Sequence, residues 1–237
     1  MKDRREQLLE AAAQLFVQHG VRKTSVADVT RAAGVSKGSF YLEFSSKDAL
    51  FDEVVRHEFS AYLADAAARV AQDPAGGRLS RIYHHSVHAL LHGAFLRSLY
   101  TDTSGALTGL LHGRGPGHYR PRVLLGAEFI EQMQAAGLIR ADRRPAAISH
   151  TLSTLMVGPL LSEPLLRSEG SPPLADTLQA ISSMITDSYE CASGDVEAGK
   201  RAFAALIEAM TEAMGEDLPS VIAPRPAPGE PTGGGHR

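Results

Sequence analysis

Apolar residues in this 237-residue chain recur at spacings of three and four almost from end to end, and no run of Val, Ile or Thr alternates with polar residues over strand length. The core must therefore come from helices, and the expected fold is all-α. Helix starts and stops are written into the first seventy residues. Leu8, Ala12, Leu15 and Phe16 make one stripe, with Asp3 placed to cap it, Glu6 three residues on, and Gly20 to end it. Ser25 with Asp28 and Ser45 with Asp48 both have capping-box spacing, the second pair ahead of Leu50, Phe51, Val54, Val55, Phe59 and Tyr62.

After a Pro/Gly hinge, AQDPAGGRLS, the spacing predicts helices over Ile82–Leu99, Tyr119–Ala136, Pro145–Ser162, Pro173–Tyr189 and Asp195–Met214, with a Gly-rich break over Thr103–Gly117. The tail from Pro219 holds too much Pro and Gly to pack and is expected to be disordered. Three units follow: 1–50, 51–218 and 219–237.

The single cysteine, Cys191, excludes an intrachain disulfide, and MKDRREQLLE lacks the apolar stretch of a secretion signal, so a cytoplasmic protein is expected. The longest apolar run, ISHTLSTLMVGPLL, is too short to span a bilayer, which needs about 20 residues. Net charge is −3, but residues 1–50 carry eight Lys or Arg against six Asp or Glu. A basic surplus at the front is compatible with an acidic partner without demanding one.

The stretch VTRAAGVSKGSFYLEF, Val29–Phe44, is the most informative. A short helix over Ser25–Ala33 breaks at Gly34, where a left-handed backbone is least strained; Val35 can enter the core and Ser36 can cap the next helix. That is a helix-turn-helix. The N-terminal end of its second helix enters the major groove, which favours small donors, and Ser36, Lys37, Gly38 and Ser39 supply them. Glycine in a helix costs about 0.5 to 1 kcal/mol relative to alanine, so Gly38 implies that something approaches the backbone closely. Phe40 and Phe44 have the spacing of core residues.

The longer segment TSVADVTRAAGVSKGSFYLEFSSKDAL, Thr24–Leu50, resembles the DNA-binding signature of the TetR family of one-component transcriptional regulators. The resemblance implies an N-terminal three-helix DNA-binding domain joined by a long fourth helix to a helical ligand-binding and dimerisation domain. It makes Tyr41 and Lys47 phosphate contacts and gives Thr24 and Ser25 backbone contacts through hydroxyl and helix N-terminus. Ser36, Lys37, Ser39 and Leu42 would face base edges or sugars. Leu42 and Glu43 stand where many relatives carry His or an aromatic residue; Glu43 either turns toward Arg31 or Lys47, the favoured reading, or accepts from a cytosine amine.

The implied function is a ligand-responsive repressor, not an enzyme, that binds a near-palindromic double-stranded operator as a homodimer and is released by a small molecule. AAGLIRADRRP, Ala135–Pro145, is similar to the turn before the first dimerisation helix in such proteins, which makes 145–162 and 173–189 the interface helices. The helix from Asp195 is surplus to the simplest plan, and its phenylalanine and methionine stripe is an equal candidate for the interface. An apolar or amphipathic effector would sit among Tyr83, Val87, His88, Leu91, His92, Phe95, Phe129, Met133, His150 and Met156. The rival reading is a metal sensor or small metalloenzyme, because His84, His88 and His92 share one helix face. No His-Glu-x-x-His order, Gly-rich phosphate loop, Ser-His-Asp order or Cys pair supports it, and no metal or cofactor is assigned.

Overall fold

The computed structural model describes residues 3–101, 126–166 and 168–216. The expected Gly-rich break at 103–117, the first turns of the helix expected from Tyr119, and the tail from Pro219 lie outside the described residues. Among the described residues ten helices run in order: α1 Arg4–His19, α2 Val26–Ala33, α3 Lys37–Glu43, α4 Lys47–Gln72, α5 Leu79–His92, α6 Ala94–Thr101, α7 Ala127–Ala135, α8 Pro145–Leu166, α9 Leu174–Tyr189 and α10 Val196–Glu216. The fold is all-α. Among the described residues the only extended pairing is an isolated antiparallel bridge between Ile139 and Glu190.

Helix α1 packs against α2, α4 and α6, with Leu8, Ala12 and Phe16 buried as the stripe requires. Gly20 ends it at φ 78°. Asp3 occupies the cap position but makes no side-chain cap bond, and α4 is capped one residue later than expected, by Ser46, whose Oγ accepts the Ala49 N–H at 3.0 Å. Helix α4 has 26 residues, about 39 Å at 1.5 Å per residue, and packs against α5 and α10 as well as α1.

The helix expected over Ile82–Leu99 is two helices, α5 and α6, broken at Gly93. The break turns α6 back to α1 and α4, where the rings of Phe16, Phe51 and Phe95 meet with centroids 5.6 to 6.4 Å apart. Three helices distant in sequence are joined there by one aromatic cluster.

The Pro/Gly segment after α4 is a close-packed corner, not a loose hinge. Asp73 accepts from the Ala75 N–H at 2.9 Å, from Arg81 Nε at 2.6 Å and pairs with His85 Nε2 at 2.8 Å. Burial pushes its carboxyl upward, but these hydrogen bonds and the Arg81 charge outweigh it and hold the pKa at about 2. A Cβ on Gly77 would lie 1.9 Å from the Val196 carbonyl oxygen, and one on Gly199 2.2 Å from the Gly77 oxygen. The start of α10 therefore rests on backbone at this corner. Its apolar stripe turns partly inward: Phe203 is buried against Phe129 of α7, centroids 6.3 Å apart.

Helix α5 is started by a residue from far along the chain. Arg78 at its cap position makes no side-chain cap bond; instead Glu190, buried at the end of α9, accepts the Ser80 N–H through Oε1 at 2.7 Å and faces Arg78 at 3.7 Å. Glu190→Ala is expected to orphan that N–H and lower stability by about 1 to 3 kcal/mol, read as a lower denaturant midpoint at unchanged slope.

Candidate nucleic-acid interface

Local chemistry fixes α2 and α3. Ser25 Oγ accepts the Asp28 N–H at 3.2 Å while Asp28 Oδ2 accepts the Ser25 N–H at 3.0 Å, a complete capping box. The Ser25 hydroxyl and N–H together lower the Asp28 carboxyl pKa. Helix α2 stops at Gly34, whose φ of 68° and ψ of 27° are left-handed, and the Val35 N–H returns to the Thr30 oxygen at 3.0 Å. Ser36 then caps α3, accepting the Ser39 N–H at 3.0 Å.

Phe40 and Phe44 are buried, as their spacing requires, and anchor α3. Ser36, Lys37 and Gly38 are exposed in its first turn, and Ser39 is half-buried. Tyr41 is 52% exposed, its ring edge-to-face on Phe40 at 5.2 Å, and Leu42 is 80% exposed. The helix thus presents Ser36, Lys37, Gly38, Tyr41 and Leu42 outward. A Cβ on Gly38 would meet nothing closer than Ser36 Oγ at 3.7 Å, an ordinary contact, and φ there is not positive. Nothing among the described residues requires glycine at this position.

Thr24, Ser25 and Lys47 have partners within the chain. Thr24 is 2% exposed, and its hydroxyl donates to the Gly20 oxygen at 2.9 Å, so it closes the α1–α2 turn from inside. Lys47 Nζ donates to the Val21 and Thr24 carbonyls at 2.9 and 3.0 Å, tying the start of α4 to the same turn. The Ser25 hydroxyl donates to Asp28 at 2.6 Å. Neither expected partner takes Glu43: Arg31 pairs with Asp28 at 3.4 Å and Lys47 is held by carbonyls. The Glu43 backbone oxygen instead accepts from Arg5, whose guanidinium also pairs with Glu53 at 3.0 Å and lies over the Phe44 ring at 4.7 Å. Local spacing gives no sign of Arg5, because its partners are distant in sequence.

The expected effector residues differ in burial. Tyr83, Val87, Phe95, Phe129, Met133 and Met156 are buried in the core, Leu91 and His88 are half-buried, and His92 and His150 are exposed. The Tyr83 hydroxyl donates to the Leu155 oxygen at 2.8 Å, and burial raises its pKa. A shallow apolar cleft lies elsewhere, between Phe59 and Tyr62 of α4, Ser86 of α5, Met156 of α8, and Phe203 and Met210 of α10; it measures about 370 Å³ counted with the solvent it opens to. Met156 alone is shared with the expected set.

The histidines stack rather than converge. The His88 and His92 rings lie 4.0 Å apart at 21°, and His92 Nδ1 is 2.8 Å from the His88 backbone oxygen. Burial lowers the His84 and His88 pKa values, which neighbouring positive groups lower further. Among the described residues no group of three or more His, Cys, Asp or Glu side chains could hold a metal ion, and no helix is long and apolar enough to cross a membrane.

The sequence model of the bacterial regulatory proteins, tetR family, matches residues 8–54. The HTH-type transcriptional repressor KstR2 of Rhodococcus jostii (strain RHA1) is 40% identical over 78 residues, 33% of this chain and 36% of that protein. The chain thus spans little more than a third of that relative's length. Two solved structures share the fold: the ketosteroid transcriptional regulator KstR2 of Mycobacterium tuberculosis, at TM-score 0.51 and 21% identity over 81% of this chain and 97% of that one, and the fatty acid degradation regulator FadR of Bacillus halodurans, at 0.57 and 13% over 78% and 95%.

Proposed function

We propose that this chain, of the tetR family of bacterial regulatory proteins through its residues 8–54, is a ligand-responsive transcriptional repressor that binds a near-palindromic operator as a homodimer. Residues 1–50 serve as the DNA-binding domain, 51–218 as the ligand-binding and dimerisation domain, and 219–237 as a tail; the protein acts in the cytoplasm. The observation that carries the reading is the outward row on α3: small polar groups, a lysine and a glycine in its first turn, then an exposed tyrosine, on a helix anchored from behind by Phe40 and Phe44. Two such helices on a two-fold dimer would meet successive major-groove faces about 34 to 36 Å apart. Lys37, Ser36, Ser39 and Leu42 face bases or sugars, and Tyr41 faces a phosphate.

A small apolar or amphipathic effector releases the operator by favouring a subunit arrangement with the wrong helix spacing. The neutral cleft between α4 and α10 supports that chemistry, because α4 follows directly on α3. Binding is tested by titrating the protein into duplexes from its own upstream region. Tyr41→Ala is expected to weaken specific and random duplexes alike, because a phenol hydrogen bond to a phosphate carries no base identity, whereas replacing Lys37 changes sequence preference. Equal affinity of both variants and the parent protein for every duplex would refute the reading.

A further inference from the structure

The α1–α2 turn is the most firmly held loop beside the recognition helix. Its carbonyls at Gly20, Val21 and Thr24 all accept side-chain hydrogen bonds, from the Thr24 hydroxyl and the Lys47 ammonium. Those bonds draw Thr24 and Lys47 inward. Between Val21 and Thr24, Arg22 and Lys23 are both exposed. No ion pair or hydrogen bond engages either side chain among the described residues, whereas Arg31, exposed on α2, is paired with Asp28. The Lys47 bonds place this turn against the loop where α3 hands over to α4, so the two cations stand at the end of α3 that carries Tyr41. The acidic groups on this side are Asp28, held by Ser25 and Arg31, the half-buried Glu43 that ends α3, and the exposed Asp48 beside Lys47.

We propose that Arg22 and Lys23 form a second contact with the phosphodiester backbone of duplex DNA, flanking the groove that α3 enters, and that Lys47 is a positioning residue for this turn. The inference rests on the DNA-binding reading above. A rigid turn carrying two free cations neutralises phosphates without the ordering entropy that a mobile loop would lose on binding. It adds affinity without sequence preference, because phosphates carry no base identity.

The test is the salt dependence of binding to a specific duplex from the upstream region and to a random duplex, for the full chain and for Arg22→Gln/Lys23→Gln. The slope of log affinity against log salt should fall by about 0.9 for each phosphate contact removed, hence by about 3.6 when both subunits engage, and equally on both duplexes. Arg201→Gln, which removes a cation from α10 at the other end of α4, should leave the slope unchanged. A double variant that keeps the parent slope, or that weakens only the specific duplex, overturns the proposal. If the unsubstituted chain binds neither duplex even at low salt, the DNA-binding reading itself has failed.

Discussion

Gly38→Ala should make the protein more stable and a worse DNA binder. The added methyl meets only Ser36 Oγ at an ordinary 3.7 Å, and alanine in a helix is favoured over glycine by about 0.5 to 1 kcal/mol, so the melting temperature should rise by about 1 to 4 °C. The same methyl stands on the exposed first turn of α3, where a groove wall would press on the backbone. Operator affinity should drop at least tenfold, and Gly38→Leu should abolish specific binding while leaving the circular dichroism spectrum and melting temperature near those of the parent. If Gly38→Leu binds operator normally, α3 does not enter the groove by this end.

Gly77→Ala should have the opposite profile, with a large loss of stability. Its Cβ would lie 1.9 Å from the Val196 oxygen, 2.8 Å from the Val196 carbonyl carbon and 2.9 Å from the Lys200 nitrogen, all backbone atoms. No rotamer change can relieve that clash; the start of α10 must lift from the corner between α4 and α5, carrying Phe203 with it. Overpacking of side chains costs about 1 to 3 kcal/mol, and backbone against backbone should exceed the upper figure, lowering the melting temperature by about 6 to 12 °C or more. A melting temperature within a degree of the parent's would show that α10 is not seated on this corner.

These two glycines also show what sequence could and could not reveal. Features set by residues three or four apart were legible: the Ser25–Asp28 box, the left-handed Gly34, the cap at Ser36, and the burial of Phe40 and Phe44. Side-chain direction in the turn was not. Thr24 and Lys47 match a DNA-contacting pattern by type, yet both bond the carbonyls of the turn between α1 and α2, an outcome decided by how α4 docks on α1. The segment around Gly76 and Gly77 reads as a hinge because composition cannot distinguish a glycine needed for flexibility from one needed for close approach. The split of α5 from α6 escaped for a related reason: one glycine is only a weak helix breaker, and the α6 direction is set by Phe95 reaching Phe16 and Phe51. Tyr83, Val87, Phe95, Phe129, Met133 and Met156 lie in the core because apolar spacing reports a buried face, whereas a cleft forms where faces fail to meet.

The meeting of Phe16, Phe51 and Phe95 bears on how such a protein could acquire a new operator. A crossover at residue 50 would transplant the reading head with Phe16 but leave both of that ring's partners behind, the first of them by a single residue. The graft would fold well only on a recipient that already supplied rings of matching size at both places. The inheritable unit is therefore larger than the surface proposed to touch DNA, and exchange of heads between lineages should be confined to bodies whose sixth helix offers the same aromatic seat.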